Sequence, residues 1–203
     1  MDFYCEDIVF MINSSYASRP MEALPEESRL VRQAKSGNAE AFVQLYEAYV
    51  DRVYRYVYFR VIDNELAESI TPRVFIKAWQ VLDRYHSYGT PFIIWLYKIA
   101  SNQIIEHFYT HPKAFSKPDG FLWSIEDRVF DKNVKDMFDL QAIRDALQFL
   151  NDEEQQALTL KFISGVSTNE VARIMEKPIS AVQNLLMYAL QKVAEHMDEK
   201  ELR

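Results

Sequence analysis

Pro91-Phe92-Ile93-Ile94-Trp95-Leu96-Tyr97-Lys98-Ile99-Ala100-Ser101-Asn102 is the stretch on which the fold turns. Its apolar residues Phe92, Trp95, Leu96, Ile99 and Ala100 recur at steps of three and four, the period of an amphipathic helix. Toward the N-terminus lies a loop, Asp83-Arg84-Tyr85-His86-Ser87-Tyr88-Gly89-Thr90-Pro91. Before the loop, Val74, Phe75, Ala78, Trp79 and Leu82 mark the apolar face of another helix ending about Leu82. The Asp63-Asn64 pair separates it from a longer stripe, Ala41, Phe42, Leu45, Tyr46, Tyr49, Val53, Tyr56, Val57 and Arg60, opened by Asn38 as an N-cap. A short first helix carries Leu30, Val31 and Ala34 and stops at Gly37. Residues 1–25 show no sustained period and read as a loose N-terminal extension, and Met21 stands just ahead of the first patterned segment.

Toward the C-terminus, Pro112, Pro118 and Gly120 interrupt any period, so residues 111–136 are expected to be a linker. Two helices are expected at about 137–150 and 152–163. Gly165-Val166-Ser167-Thr168-Asn169-Glu170 follows, in which Ser167 and Glu170 form a capping box. The helix it opens, about 168–175, should end near Glu176-Lys177-Pro178. A last helix opens at about Pro178, tolerated in a first turn, and runs toward His196. Two helices joined by so short a turn have the helix-turn-helix layout. The expected fold is all-α: a helical domain over 26–110, the linker, and a helix-turn-helix domain over 137–203.

Composition agrees. The chain has 203 residues, 49% of them hydrophobic and 26% charged, enough to build a core and too ordered a mixture for a disordered chain. Four glycines and seven prolines fit a helical protein better than a β-sandwich. A single cysteine, Cys5, excludes an intramolecular disulfide framework and a cysteine-cluster zinc site, and His86, His107, His111 and His196 have no metal-ligand spacing. No metal or cofactor is expected. No apolar run approaches the ~20 residues of a membrane span. Asp2, Glu6 and Asp7 stand where a signal peptide needs positive charge. The default location is cytoplasmic. Motifs of nucleotide-binding loops, metalloproteases and serine hydrolases are missing, so an enzyme is not expected. The net charge is −7, unevenly placed: residues 26–110 carry ten basic and ten acidic side chains, residues 151–203 six and nine. Neither patterned segment offers the positive surplus that drives nucleic-acid affinity.

Two blocks carry a likeness to a known family. The first, Leu30 to Asn102, includes Gly37-Asn38-Ala39-Glu40-Ala41-Phe42, Leu45-Tyr46, Val74-Phe75-Ile76-Lys77-Ala78-Trp79 and the Pro91–Asn102 stretch. The second, Leu147 to Ala194, includes Leu158-Thr159-Leu160-Lys161-Phe162, Gly165-Val166-Ser167, Glu170-Val171-Ala172, Ala181-Val182 and Ala189-Leu190. In that order, with a linker between, the chain resembles a bacterial RNA polymerase sigma factor of the extracytoplasmic-function type. The resemblance implies that it binds core RNA polymerase and directs promoter recognition. The first domain would dock on the polymerase clamp and capture unstacked bases of the minus-ten element. The second would read the minus-thirty-five element as duplex. Small sigma factors are often held by an anti-sigma protein, although no residue identifies one here.

The resemblance and the chemistry together nominate site residues. For the minus-ten element these are Tyr85, His86, Tyr88 and Asn102. An aromatic face can stack a flipped base, worth ~1–3 kcal/mol. The same aromatics would equally serve to close the third helix over the fourth. Trp79, Phe92 and Trp95 sit on apolar stripes and are expected in the core. Polymerase docking falls on Ser69, Arg73, Phe75 and Lys77. The family's Asp-x-x-Gln-Glu-x-Phe run maps onto Ser69, Pro72, Arg73 and Phe75, of which only Phe75 agrees. Pro72 is expected to start a fresh helix turn or kink the helix. For the minus-thirty-five element the set is Lys177, Ser180, Gln183, Asn184 and Met187. Gln and Asn can pair with adenine edges but release no counterions. Lys161, Arg173, Lys177 and Lys192 could reach phosphates, opposed by Glu153, Glu154, Glu170, Glu176 and Glu195. Two readings stay open: a working sigma factor whose hold on DNA comes mainly from the holoenzyme, or a degenerate sigma-like regulator. The latter would bind polymerase or a protein partner, through Leu185, Leu186, Met187 and Tyr188, with little DNA binding of its own.

Overall fold

The computed structural model describes residues 26–87, 89–111 and 144–201, with side chains to 196, and every regular element among them is helical. Helix α1 (Glu27–Lys35) buries Leu30, Val31 and Ala34 and ends at Gly37, whose φ of 88° lies in the left-handed region that glycine enters without cost. The Asn38 side chain accepts the Ala41 N–H at 3.1 Å and starts α2 (Ala39–Val61). One face of α2 buries Ala41, Leu45, Tyr49, Val53, Tyr56, Val57 and Arg60; of the remaining stripe residues Phe42 is half-buried and Tyr46 is exposed. Ile62 ends α2 with φ 55°, an unusual conformation for a β-branched residue. The Asp63 carboxylate then caps α3 (Asn64–Gln80) by accepting the Leu66 N–H at 2.8 Å.

Pro72 neither restarts nor ends α3, which is continuous through it. The proline lies on the exposed face, so the Glu68 carbonyl that loses its amide partner is left on the solvent side. Behind it Ala67, Ile70, Val74, Phe75 and Ala78 pack as one stripe. The Thr71 hydroxyl donates to the Ala67 carbonyl at 2.8 Å and adds a bond to the same turn. Packing of the apolar face outweighs the local preference.

A 3₁₀ turn (Leu82–Arg84) leads into the 85–91 loop and α4 (Phe92–Thr110). Helices α1–α4 form the first lobe. The expected extension over 1–25 lies outside the described residues, as does the expected linker beyond His111. In the second lobe residues 144–148 are helical, and Asn151 with Glu154 forms a capping box for α5 (Asp152–Leu158). α5 runs directly into a π-helical turn (Thr159–Ile163). Ser167 and Glu170 form the expected capping box of α6 (Thr168–Met175), Glu176 turns with φ 54°, and α7 (Ile179–Glu201) follows. The two lobes touch: α4 packs on α6, and α2 on the π turn.

Candidate nucleic-acid interface

The 81–91 loop is held from α1. The Lys35 ammonium donates to the carbonyls of Asp83 and Tyr85. The buried Glu27 carboxylate accepts the Phe92 N–H at 3.0 Å and the Tyr49 hydroxyl. Pro91, at the N-cap of α4, has no capping side chain, so Glu27 acts as a cap from a distant helix and sets a negative charge against the positive end of α4. Nothing in the spacing around Glu27 announces this role.

The four minus-ten nominees do not share one surface. Tyr85 is 5% exposed. Its ring packs edge-on against Phe92 and tilted against Trp95, both at 5.1 Å, and its hydroxyl donates to the Thr90 carbonyl at 3.0 Å. Burial, with the Glu27 charge, pushes its pKa up to about 12. Tyr85 therefore closes the loop over α4 in this conformation, the structural role that the sequence allowed. His86 and Asn102 are exposed, and Tyr88 lies outside the described residues. Of the aromatics expected in the core, Phe92 is fully buried, Trp95 half-buried, and Trp79 39% exposed. Trp79 rests edge-on against Phe42 at 4.8 Å, at the last turn of α3.

On α3, Ser69, Arg73 and Lys77 face solvent. Phe75, the residue that matches the family pattern, is buried edge-on against Tyr46 at 4.8 Å. Ile76 and Trp79, three residues apart on the same helix, add exposed apolar side chains.

The helix-turn-helix presents a cleaner face. Ser180, Gln183, Asn184 and Met187 recur at helical spacing on α7 and are all exposed, while Val182, Leu186, Ala189 and Val193 are buried behind them. The apolar run 185–188 splits: Leu186 is core, Leu185 half-buried, Met187 and Tyr188 exposed. The cations nearby are engaged. Lys177 pairs with Glu153 at 2.9 Å, Lys192 with the buried Glu154 at 2.7 Å, and Arg173 donates to the Thr90 hydroxyl of the first lobe at 3.2 Å. Burial pushes the Glu154 carboxyl up, but Lys192 and the Asn151 N–H outweigh it and hold the pKa below the ordinary value. Among the described residues no His, Cys, Asp and Glu cluster could hold a metal ion, and no helix is long and apolar enough to cross a membrane.

Comparisons with known proteins bear on both lobes. The family model described as sigma-70 region 2 matches residues 45–111, and that described as sigma-70, region 4 matches residues 140–193. Together they span well over half of the chain. The chain is 33% identical over 167 residues to the ECF RNA polymerase sigma factor BldN of Streptomyces coelicolor, covering 81% of this chain and 63% of that protein. It is 25% identical over 163 residues to the ECF RNA polymerase sigma factor SigW of Bacillus subtilis, covering 75% of this chain and 87% of that one. Among solved structures, CnrH in complex with the cytosolic domain of CnrY is similar with a TM-score of 0.66 and 21% identity, covering 85% of this chain and 97% of that one. The sigma factor RpoE of Bartonella quintana, in complex with the anti-sigma factor NepR, follows with 0.63 and 19%, covering 77% and 96%. These two likenesses bear on the fold.

Proposed function

The chain belongs to the extracytoplasmic-function sigma factors, and on that premise we propose that it binds core RNA polymerase and directs promoter-specific initiation of transcription. The observation that carries the proposal is the polar face of α7. Gln183 and Asn184 stand exposed on a helix-turn-helix whose opposite face is core, the arrangement that puts a recognition helix in a major groove. Ser180, Met187 and Lys177 border that face. His86 and Asn102 are the exposed described residues nominated for unpaired minus-ten bases, with Tyr88 the aromatic that the sequence nominates beside them. Polymerase docking is assigned to Ser69, Arg73 and Lys77 with Ile76 and Trp79, Phe75 acting from beneath. An anti-sigma protein is a further partner, suggested by the complexes that the structural relatives form.

The work of this protein is recognition rather than bond chemistry. Bidentate amide pairing to adenine supplies ~1–3 kcal/mol of discrimination per base. The general phosphate attraction, which dominates DNA affinity, is thin because Lys177 and Lys192 are spent on Glu153 and Glu154. The polymerase must hold most of the DNA. The same two ion pairs favour a second reading, a regulator that occupies polymerase without opening promoters. Reconstitution with core polymerase separates them. Run-off transcripts from promoters recovered by mapping bound DNA in cells, altered in choice by Gln183→Ala and Asn184→Ala, are expected. Polymerase binding that only lowers transcription by other sigma factors would establish the second reading, and no association with polymerase would overturn both.

A further inference from the structure

The outward face of α4 carries a straight line of side chains. Lys98, Asn102, Ile105 and Tyr109 follow one another at steps of four, three and four residues, so they share one stripe of the helix. Asn102 is exposed, Ile105 is 50% exposed and Tyr109 87% exposed. The opposite side of the same helix is buried through Leu96, Tyr97, Ala100, Ser101 and Ile104. Tyr109 is the most exposed large hydrophobic side chain among the described residues. It stands in line with the amide nominated for unpaired bases, and its ring makes no hydrogen bond or ring contact with another described residue.

A single exposed aromatic is ordinary on a protein surface. The surroundings of Tyr109 set it apart. Ile105 lies one turn before it, so an apolar side chain and an aromatic ring adjoin at the solvent face. Fixed positive charge is scarce along the stripe. Lys98 pairs with Glu176 at 2.6 Å, and residues 99–111 contain neither lysine nor arginine. Glu106, bonded to Gln103 at 2.9 Å, and the negative end of the α4 dipole add the opposite sign. His107 is mostly neutral at pH 7, since burial, His111 and Arg73 hold its pKa below the ordinary value. A phosphate backbone finds little to hold here. A base finds a ring: every base has a π face, and stacking needs no charge on the protein.

We propose that Tyr109, flanked by Ile105, is a stacking site that extends the Asn102 surface and takes a further unpaired base of the minus-ten strand. The inference rests on the sigma-factor reading and deepens it. Seven residues of helix separate Asn102 from Tyr109, a rise of about 10.5 Å. That is about three steps of ~3.4 Å along one DNA strand, so the two side chains address different nucleotides of one short segment. A ring face reads no base edge. Tyr109 therefore accepts any base and favours the melted strand over duplex, whose bases are already stacked. It aids opening rather than sequence choice, and it releases no counterion.

The test uses holoenzyme assembled from the full chain and core polymerase, with a promoter recovered by mapping bound DNA in cells. The probe is a fork of that promoter with its minus-ten strand unpaired, in a series with one base at a time replaced by an abasic site. Tyr109→Ala should weaken fork binding about fivefold or more, the lower end for one aromatic stack, with the slope of log K against log salt unchanged. Tyr109→Trp should restore binding. One abasic position should weaken the unaltered holoenzyme to the same extent and weaken Tyr109→Ala no further, the coupling that a direct contact requires. At 87% exposure the substitution should leave the melting temperature of the free chain unchanged. Unchanged fork binding, losses that add at every abasic position, or an equal loss on unmelted duplex each overturns the stacking site. So does a lowered melting temperature, which would show the ring packing on the chain itself. Failure of the unaltered chain to join polymerase overturns the sigma-factor reading, and this inference falls with it.

Discussion

The Glu27 carboxylate accepts the Phe92 amide N–H across 65 residues of sequence, so the first turn of α1 fixes where α4 begins. The 85–91 loop, with its exposed His86, is thereby held between two rigid helices. Replacing Glu27 with Ala should cost about 1–2 kcal/mol, the value of a lost N-cap. For a chain of this size that lowers the melting temperature by roughly 2–8 °C. Glu27→Gln keeps an acceptor for Phe92 and should lose less. Calorimetry on the two variants checks the order, and equal losses would show that the charge matters more than the hydrogen bond.

Tyr85 and His86 are adjacent in sequence and opposite in exposure. Tyr85→Ala empties a buried aromatic site against Phe92 and Trp95 and should destabilise by about 3–5 kcal/mol. Tyr85→Phe removes only the bond to the Thr90 carbonyl, about 1 kcal/mol. His86→Ala, at an exposed position, should lower the melting temperature far less than Tyr85→Ala while reducing promoter opening, read by permanganate reactivity of unpaired thymines. Unchanged opening in His86→Ala would remove His86 from base capture.

How much of this could be read beforehand depends on the range of the cause. Asn38, Asp63 and the Ser167–Glu170 box act within three residues, and each starts a helix where the sequence places it. The stripes of α2 and α4 follow from period alone. Pro72 misleads because its local cost is outweighed by an apolar face that packs on other helices. Tyr85 and His86 look alike as loop residues, and only the position of Phe92 and Trp95 separates them. Glu27, Arg60 and Glu154 are missed altogether as contacts, since their partners lie 65, 92 and 38 residues away and no local pattern encodes such pairs. The exposure of Gln183 and Asn184 was legible because their face of α7 is the complement of a buried stripe.

Lys177, proposed above to border the DNA-reading face, is held by a single carboxylate. Its ammonium lies 2.9 Å from Glu153, a pair with both members partly exposed, so it should exchange readily for phosphate. Glu153→Gln should raise nonspecific DNA affinity and steepen the dependence of log K on log salt by about one counterion. Gln183→Lys, which adds a charge on the proposed DNA-reading face, should steepen it by a similar amount and also alter promoter choice. Fluorescence anisotropy over a salt series with the full chain measures both slopes. A slope unchanged in Glu153→Gln would place Lys177 away from the DNA.

The Lys192–Glu154 pair joins the far part of α7 to the start of α5 and sets an acid limit on the second lobe. Glu154 is buried and caps its own helix through Asn151, while Lys192 donates to both carboxylate oxygens at 2.7 and 2.8 Å. Its pKa is lower folded than unfolded, so the unfolded chain takes up the proton first as pH falls. The stabilisation is therefore complete above the ordinary carboxyl range and is lost as pH drops through the folded value. The melting temperature should hold from pH 7 to about 5 and fall below about 4.5, the ordinary carboxyl value. Lys192→Met leaves the buried carboxylate without its cation and should cost about 1–3 kcal/mol at pH 7. It should also flatten the acid transition, because the folded pKa then rises toward or above the unfolded one. Thermal melts of both proteins between pH 3.5 and 7 read the difference directly, and parallel curves would assign the acid loss to other carboxylates.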